Sequence, residues 1–592
     1  MSILINEIRI CGFRGLENLS ATLPKTAIVI GTNNSGKTSL IKAMQLALGD
    51  YSRYITDEDF FIDKNEKRAS RIIVDIRIIS VNADGQRQKL FADEWVQEFG
   101  DKIRSEADGN QFHAIRTLVR PDHAKGGFTV ERHVLDEWPT FNAWQEAPTS
   151  PKAKFTKRYD LVPFISIDAQ RDIHNELNNK TSFVGRVLSS IQYEDSDIQK
   201  LEKMIAEINE EAVEKSAPLK SLKQHLSSLN QSFGGTGNAE VTPFPKKMRD
   251  LSKRFSVHFG DSASNSFSME YHGMGTRSWA SMLAVKAFTD LMAQKHEEEA
   301  EPFFPILAAE EPEAHLHPNA QRSLFRQLVS SPGQVIISTH SPYLAAMCNL
   351  GSIRYLTKVE NSATCLELIK GLSVEELNVL HREVLRHKGE LLFAKAIILF
   401  EGATEEQIFP AMFEAYFGVS PFERGVTLMQ VGGKNYPPFV KLAISFGIPT
   451  FIVSDNDKNT KKEIESQISK MEKLDGLKLG SGLFCAAFLS TGNDLEAELI
   501  NELSLENEII ESLVNSETSD NDNSQYVTAK TAEISALGKD DLIERMRGKK
   551  TSYSSFLSEV VLRNPNDRPK GDLIPKALLA AFTQIEKWLA NS

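Results

Sequence analysis

Apolar and polar positions alternate from Ile3 to Ile10 (ILINEIRI), the two-residue period of a half-buried strand. Phe13-Arg14-Gly15-Leu16 reads as a turn, and the apolar run Thr26–Ile30 predicts a second strand. From Ser39 to Leu48 the pattern is that of a helix. Short β-patterned runs at Arg71–Ile79 and Phe128–His133 predict an antiparallel layer beside this first unit, and Leu161–Ile167 predicts a further apolar strand. Between Ser189 and Asn230 the chain is charged. Ile198, Leu201, Ile205 and Ile208 recur there at helical spacing, and so do Leu219, Leu222, Leu226 and Leu229. This predicts an inserted helical hairpin for dimerisation; an amphipathic pair packed on its own domain fits as well. Trp279–Met292 then predicts a helix, and Pro305–Ala309 and Gln334–Ile337 two buried strands.

After the helical stretch Val374–Lys388 the pattern changes. Strands Ala396–Phe400, Val426–Gln430 and Thr450–Ser454 alternate with helices Glu405–Phe417 and Tyr436–Phe446. Alternation of this kind predicts a parallel sheet with crossover helices. Cys485–Leu489 adds a strand, residues 515–525 (NSETSDNDNSQ) a polar loop, and Pro575–Leu589 an amphipathic helix. The fold class is therefore α/β, with expected boundaries at 1–188, 189–256 (the inserted helical region), 257–388 and 389–592.

Composition narrows the class without choosing a function. The 592 residues are 41% hydrophobic and 25% charged, as in an ordinary globular protein long enough for several domains. A net charge of −12 gives no global case for nucleic acid, so any such surface must be local. Lys246, Lys247, Arg249, Lys253 and Arg254 form one basic run, which reads first as a solvated face. Cys11, Cys348, Cys365 and Cys485 are scattered without zinc spacing, which predicts a reducing, cytoplasmic setting. The N-terminus lacks the pattern of a signal peptide, and no apolar run is long enough to span a membrane.

The first chemistry lies at Gly31-Thr32-Asn33-Asn34-Ser35-Gly36-Lys37-Thr38, a GxxxxGKT loop between a strand and a helix. Backbone N–H groups there cradle phosphates. Asn33, Asn34, Gly36, Lys37, Thr38 and Ser39 are candidate ATP ligands, with Lys37 on the β/γ oxygens and Thr38 on Mg²⁺. Pro305–Ala309 ends in Glu310-Glu311, where Glu310 would hold Mg²⁺ through water and Glu311 would act as general base. His340, after the strand Gln334–Ile337, is a candidate γ-phosphate contact. Gln170, past the strand Leu161–Ile167, is a candidate sensor of Mg²⁺ and γ-phosphate, although a plain strand-end loop fits nearly as well.

The second chemistry lies in the C-terminal module. Its first strand ends at Glu401, with Glu405 four residues on, and its third ends in Ser454-Asp455-Asn456-Asp457. In open α/β sheets, sites form beyond the carboxyl ends of the strands, where Gly432-Gly433-Lys434 also falls. Asp494 and Glu496, after Cys485–Leu489, extend the acidic set. Hard oxygen ligands in this number suit divalent cations.

These motifs carry a resemblance. Gly31–Thr38 looks like a Walker A loop and Gly273–Ser278 (GMGTRS) like a signature loop, with Gly275 as its candidate ATP contact. Glu310–Glu311 looks like Walker B with its catalytic glutamate, and His340 like a switch histidine. The set is similar to the ABC-type ATPase heads of the SMC and RecF kind, departing from it in the GMGTRS signature and in Glu310 where Asp is usual. Residues 389–592 resemble a Toprim domain, and the two modules together resemble the OLD-family nucleases (overcoming lysogenisation defect), a group that includes the Gabija nuclease subunit and retron-associated OLD nucleases.

The resemblance implies a metal-dependent DNA endonuclease in antiphage defence, with ATP controlling access or assembly. It implies Glu401, Glu405, Asp455, Asp457, Asp494 and Glu496 as ligands of two Mg²⁺ or Mn²⁺, with Glu401, Asp455 and Asp457 catalytic, and a third ion bound with ATP. A lysine beside the metals is implied within Arg545–Lys550, Lys550 first and Lys549 second. The implied partners are DNA, further copies of the chain (a dimer or dimer of dimers) and a helicase or a reverse transcriptase with its RNA–DNA product. A RecF-like repair clamp without nuclease activity and an RNA-cleaving defence effector are the alternatives.

Overall fold

The computed structural model describes residues 2–49, 51, 54–122, 126–147, 149, 159–168, 194–232, 258–259, 267–268, 273–359, 362–385, 389–473, 476–477, 479–519 and 523–590. The strands of the N-terminal half are β1 (Ser2–Phe13), β2 (Leu16–Thr22), β3 (Thr26–Gly31), β4 (Ile72–Val81), β5 (Arg104–Ser105), β6 (Gln111–Pro121), β7 (Phe128–Val134), β8 (Phe164–Ile167), β9 (His258–Phe259) and β10 (Phe267–Ser268). They are followed by β11 (Ile306–Glu310), β12 (Gln334–Ser338), β13 (Ile353–Val359), β14 (Ser362–Leu366), β15 (Ala396–Phe400), β16 (Val426–Gln430), β17 (Thr450–Ser454) and β18 (Phe484–Phe488). The chain divides into two compact units: Met1–Ala27 with Thr38–Thr339, and Ile28–Lys37 with His340–Ser592.

In the first unit an antiparallel layer runs in the order β2-β1-β4-β6-β5, with β7 on β6. The central strand β4 is buried along almost its whole length, and its isoleucine- and valine-rich run is interrupted by Asp75, Arg77 and Ser80. One ion pair sits inside this layer. Arg116 holds both oxygens of Asp75 at 2.8 and 2.7 Å, and Asp75 and Arg116 are 0% and 3% exposed. Strands β8, β11 and β12 are parallel, with β11 between the other two. The buried Gln334 amide staples β12 to the antiparallel layer: it accepts from the Ile5 N–H at 3.1 Å and donates to the Ile5 carbonyl at 2.9 Å.

The helical insertion forms two consecutive helices, Asp195–Lys215 and Ala217–Ser232. Met204, Ile208 and Leu222 on them are about half exposed. The helix expected from Trp279 begins at Met274 and runs to Glu298, so Gly275 lies inside its first turn and not in a separate loop. The reason is steric. A Cβ on Gly275 would stand 2.3 Å from the His315 carbonyl oxygen, so this helix start packs directly on the segment after β11. His317 is the N-cap of the next helix, Pro318–Val329, its Nδ1 facing the Asn319 N–H.

In the second unit β3 pairs in parallel with β13, which pairs antiparallel with β14. The helix expected over Val374–Lys388 is α-helical only to Leu380 and continues as a wider π turn over His381–Leu385.

The C-terminal module is a four-stranded parallel sheet in the order β16-β15-β17-β18. Strands β15 and β17 are buried at every position, as strands covered on both faces must be. A shell of later helices completes the core, with Phe582, Ile585 and Trp588 from the last helix (Lys576–Ala590) packed among Phe409, Phe413 and Phe451. The helix Lys550–Arg563 packs on the helix Ala403–Phe417. Its first residue is thereby brought to the start of the helix that follows Glu401.

Candidate active sites

The loop Gly31–Lys37 leads from β3 into the helix Lys37–Leu48. Asn33 and Asn34 are exposed, Ser35 and Lys37 buried, and Gly36, Thr38 and Ser39 intermediate. The Lys37 ammonium bends back onto the loop, donating to the carbonyls of Gly31 (3.0 Å) and Thr32 (2.8 Å). The Thr38 hydroxyl donates to the Glu310 carboxylate, so the phosphate-loop hydroxyl and the first strand-end acid share one place. Glu311 follows with a backbone φ of 42°, a left-handed conformation unusual for a non-glycine residue. Its N–H donates to the Ser338 carbonyl at 2.9 Å. Strain of this kind gathers at functional positions. His340 comes two residues after β12, and Gln170 lies outside the described residues.

In the C-terminal module the parallel register aligns the strand ends. Leu399 stands opposite Ile452, a register that brings Glu401 level with Ser454, one residue before Asp455, on neighbouring strands. The Ser454 hydroxyl donates to Glu401. Glu405, in the first turn of the helix Ala403–Phe417, is buried, and the Thr404 hydroxyl beside it donates to Glu496 at 2.9 Å. Asp457 accepts from the Thr460 hydroxyl at 2.5 Å. Asp494 caps the helix Leu495–Asn501 through the Ala497 N–H (3.0 Å) and accepts from Arg547 at 2.8 Å. Lys550 approaches the other buried acid, its Nζ 3.3 Å from Glu496. Lys549 turns away to Glu517 at 3.2 Å. The helix register thus directs Lys550, and not Lys549, into the acidic group.

The electrostatics of this group are those of carboxylates forced together. Burial, then Glu405, Glu401, Asp494 and Glu496, push the Asp455 carboxyl up to about 9. Burial, with the charges of Glu496 and Glu401, takes Glu405 up to about 7 despite its own helix N–H and Lys550. Burial also raises Glu401, against the Ser454 hydrogen bond. Burial works against the Asp494 carboxylate too, but the Arg547 hydrogen bond and the Ala497 N–H outweigh it and hold Asp494 below its ordinary value. Two tyrosines adjoin the acids from different elements: Tyr436, 1% exposed, beside Ser454, and Tyr553, 0% exposed, beside Thr404. Buried and half-buried acids whose charges oppose one another form a donor set that a hard divalent cation would satisfy.

Sequence reading missed Ser454, Thr404, Tyr436, Tyr553 and Arg547. Ser454 and Thr404 were within reach, since each adjoins a proposed ligand. One tighter trio exists among the described residues: the ligand atoms of His296, Glu299 and Glu301 lie within 4.8 Å of one another. Both glutamates of the trio are exposed, and the group largely explains itself. His296 stacks on Phe303 and its Nδ1 lies 3.0 Å from Glu301.

A phosphate loop with paired strand-end glutamates, followed by a parallel sheet edged with carboxylates, defines an ABC-type ATPase head joined to a Toprim module. The chain belongs to the family described as protein of unknown function (DUF2813), whose model matches residues 3–384, and residues 392–457 match the TOPRIM domain of overcoming lysogenization defect protein-like sequences. It is 24% identical to the OLD nuclease of Thermus scotoductus, over 77% of this chain and 82% of that one. It is 23% identical to the Old nuclease of Escherichia phage P2, over 77% and 78%. To the endonuclease GajA of Bacillus cereus it is 20% identical, over 77% and 75%. No helix among the described residues is long and apolar enough to cross a membrane.

Proposed function

We propose that the protein is an ATP-regulated, divalent-metal-dependent endonuclease that nicks or cuts duplex DNA in antiphage defence. The observation that carries this reading is the row of carboxylates at the C-terminal edge of β15, β17 and β18, with the Lys550 ammonium 3.3 Å from Glu496. The names of the three relatives favour the same reaction class. Glu401, Glu405, Asp455, Asp457, Asp494 and Glu496 would hold two Mg²⁺ or Mn²⁺, whose chemistry when bound is activation of water and neutralisation of charge on the leaving oxygen.

The chain's own side chains have separate work. Ser454 and Thr404 fix the carboxylates of Glu401 and Glu496 through hydroxyl hydrogen bonds. Lys550 offers a fixed positive charge to the phosphate as negative charge grows on it. Tyr436 and Tyr553 are too deeply buried to attack a phosphodiester, which favours direct hydrolysis over a tyrosyl ester.

In the head, Asn33, Asn34, Gly36, Lys37, Thr38 and Ser39 would bind the triphosphate, Glu310 would hold its Mg²⁺, and Glu311 would serve as general base toward the attacking water. Gly275, His340 and Gln170 complete the site, with Gly275 acting on ATP held by a second copy. The working unit is then a dimer or dimer of dimers, with the helical hairpin as its dimerisation element, in the cytoplasm. A helicase or a reverse transcriptase with its RNA–DNA product is the further partner.

Supercoiled plasmid incubated with Mg²⁺ or Mn²⁺, with and without ATP, tests the reading. Wild type should cut and Asp455→Ala should not, and Glu311→Gln should lock the ATP response in its nucleotide-bound form. Equal cutting by Asp455→Ala would remove the carboxylates from the reaction. Cleavage of RNA alone would replace the substrate, and no cleavage of either would favour a DNA-repair clamp.

A further inference from the structure

The edge strand β16 is followed, after Val431, by the turn Gly432-Gly433-Lys434. The turn is anchored to the site, since the Gly433 N–H donates to the Glu401 carbonyl at 2.9 Å. The glycines have φ of 69° and 87°, and a Cβ on either would meet nothing within 4 Å, so their backbone is open to an incoming chain. The Lys434 carbonyl accepts from the Gln467 amide at 3.0 Å, which fixes the main chain independently of the lysine side chain.

The Lys434 ammonium pairs with Glu463 at 3.0 Å, with the two side chains 35% and 54% exposed. A pair so open to water contributes about 1 kcal/mol at most, too little to be what holds the turn. Its positive charge is felt by Glu401, so it stands at the edge of the acidic group. The Lys434 charge is felt by Asp457 as well, and the Lys550 charge by Glu405, the Lys550 Nζ lying 3.3 Å from Glu496. Two cations beside one group of acids suit a polyanion, one phosphate being cut and a neighbour held.

We propose that Lys434, with the open Gly432-Gly433 backbone, forms a phosphate-binding subsite that grips the nucleic-acid strand beside the phosphate being cut. The inference rests on the nuclease reading and adds to it. Lys434 exchanges the Glu463 carboxylate for a strand phosphate when nucleic acid arrives, and so supplies affinity and strand placement without touching the reacting atoms.

The test compares wild type, Lys434→Ala, Lys434→Arg and Glu463→Gln. Binding of a fluorescein-labelled DNA duplex is measured by anisotropy in Ca²⁺ over a range of KCl, and cleavage kinetics are measured in Mn²⁺. Loss of one phosphate contact should weaken binding by Lys434→Ala about 3- to 10-fold and lower the slope of log K against log salt by about one. KM should rise with kcat nearly unchanged, Lys434→Arg should restore most of the affinity, and Glu463→Gln should bind as tightly as wild type or more so. The Mn²⁺-induced rise in melting temperature should be the same in all four proteins. If wild type cuts the duplex and Lys434→Ala matches it in affinity and salt slope, this inference alone is overturned. It is overturned likewise if Lys434→Ala loses the Mn²⁺ response, which would make the lysine a prop for the acids. Wild type that cuts no nucleic acid in Mn²⁺ would overturn the nuclease reading and the subsite with it.

Discussion

Replacing Asp455 with Asn should stabilise the metal-free protein while removing its response to metal. In the folded chain the Asp455 carboxyl titrates at about 9, against an ordinary 3.8. Between those values the folded state keeps a proton that the unfolded state has released, so stability falls as pH rises through the window. Each pH unit spent in it costs up to about 1.4 kcal/mol, and at pH 7.5 between three and four units have passed, an upper bound near 5 kcal/mol. Part of that belongs to Glu405, whose charge is one cause of the shift, so roughly 2–3 kcal/mol is the gain expected from Asn alone. For a module of this size that is a rise of about 4–10 °C in its transition.

The assay is thermal unfolding in EDTA at pH 4.5 and 7.5, and again with Mn²⁺. Asp455→Asn should melt above wild type at pH 7.5, by much less at pH 4.5, and should gain little from Mn²⁺ where wild type gains strongly. A variant that melts below wild type in EDTA at pH 7.5, or that keeps the full Mn²⁺ gain, would refute the view that Asp455 is a strained carboxylate held ready for a cation.

Glu311→Gln should bind ATP as wild type does, measured by calorimetry, while hydrolysing it about 100- to 10,000-fold more slowly, the range expected for loss of a general base. Gly275→Ala places a methyl group 2.3 Å from the His315 carbonyl; it should lower ATPase activity and make the start of the helix Met274–Glu298 exchange its amide hydrogens faster. Asp75→Ala leaves Arg116 buried without its partner and should destabilise the N-terminal layer by about 3–5 kcal/mol in urea unfolding. The metal response of Asp75→Ala should be unchanged.

The two halves of the chemistry were legible for a simple reason: acids that end apolar runs must sit at the carboxyl edge of a sheet. Glu310, Glu401 and Asp455 each follow such a run, and the structure puts them at that edge. Strands β13 and β14 were not legible, because Arg354 and Lys358 interrupt the apolar pattern of β13. Arg354 is nevertheless buried, its charge facing Glu367 at 3.3 Å. The start of the helix Met274–Glu298 was hidden by Gly273 and Gly275, which read as a turn, although Gly275 serves close packing on His315. The partners of the acids depend on register and on distant helices. Tyr553 reaches the site only because the helix Lys550–Arg563 packs on the helix Ala403–Phe417. The same packing separates Lys549 from Lys550. One ends a helical segment and turns to Glu517, and the other begins the next and turns to Glu496.

The central claim is that the Glu401 carboxylate, held by Ser454 beside Asp455, belongs to the centre that cuts DNA. Single-turnover cleavage of an end-labelled duplex by wild type and Glu401→Gln, across a titration of Mn²⁺, tests it most directly. The account predicts cleavage by wild type that rises with Mn²⁺ and a variant slower by more than about a hundredfold at every concentration. A Glu401→Gln variant that cuts within a few-fold of wild type would contradict it.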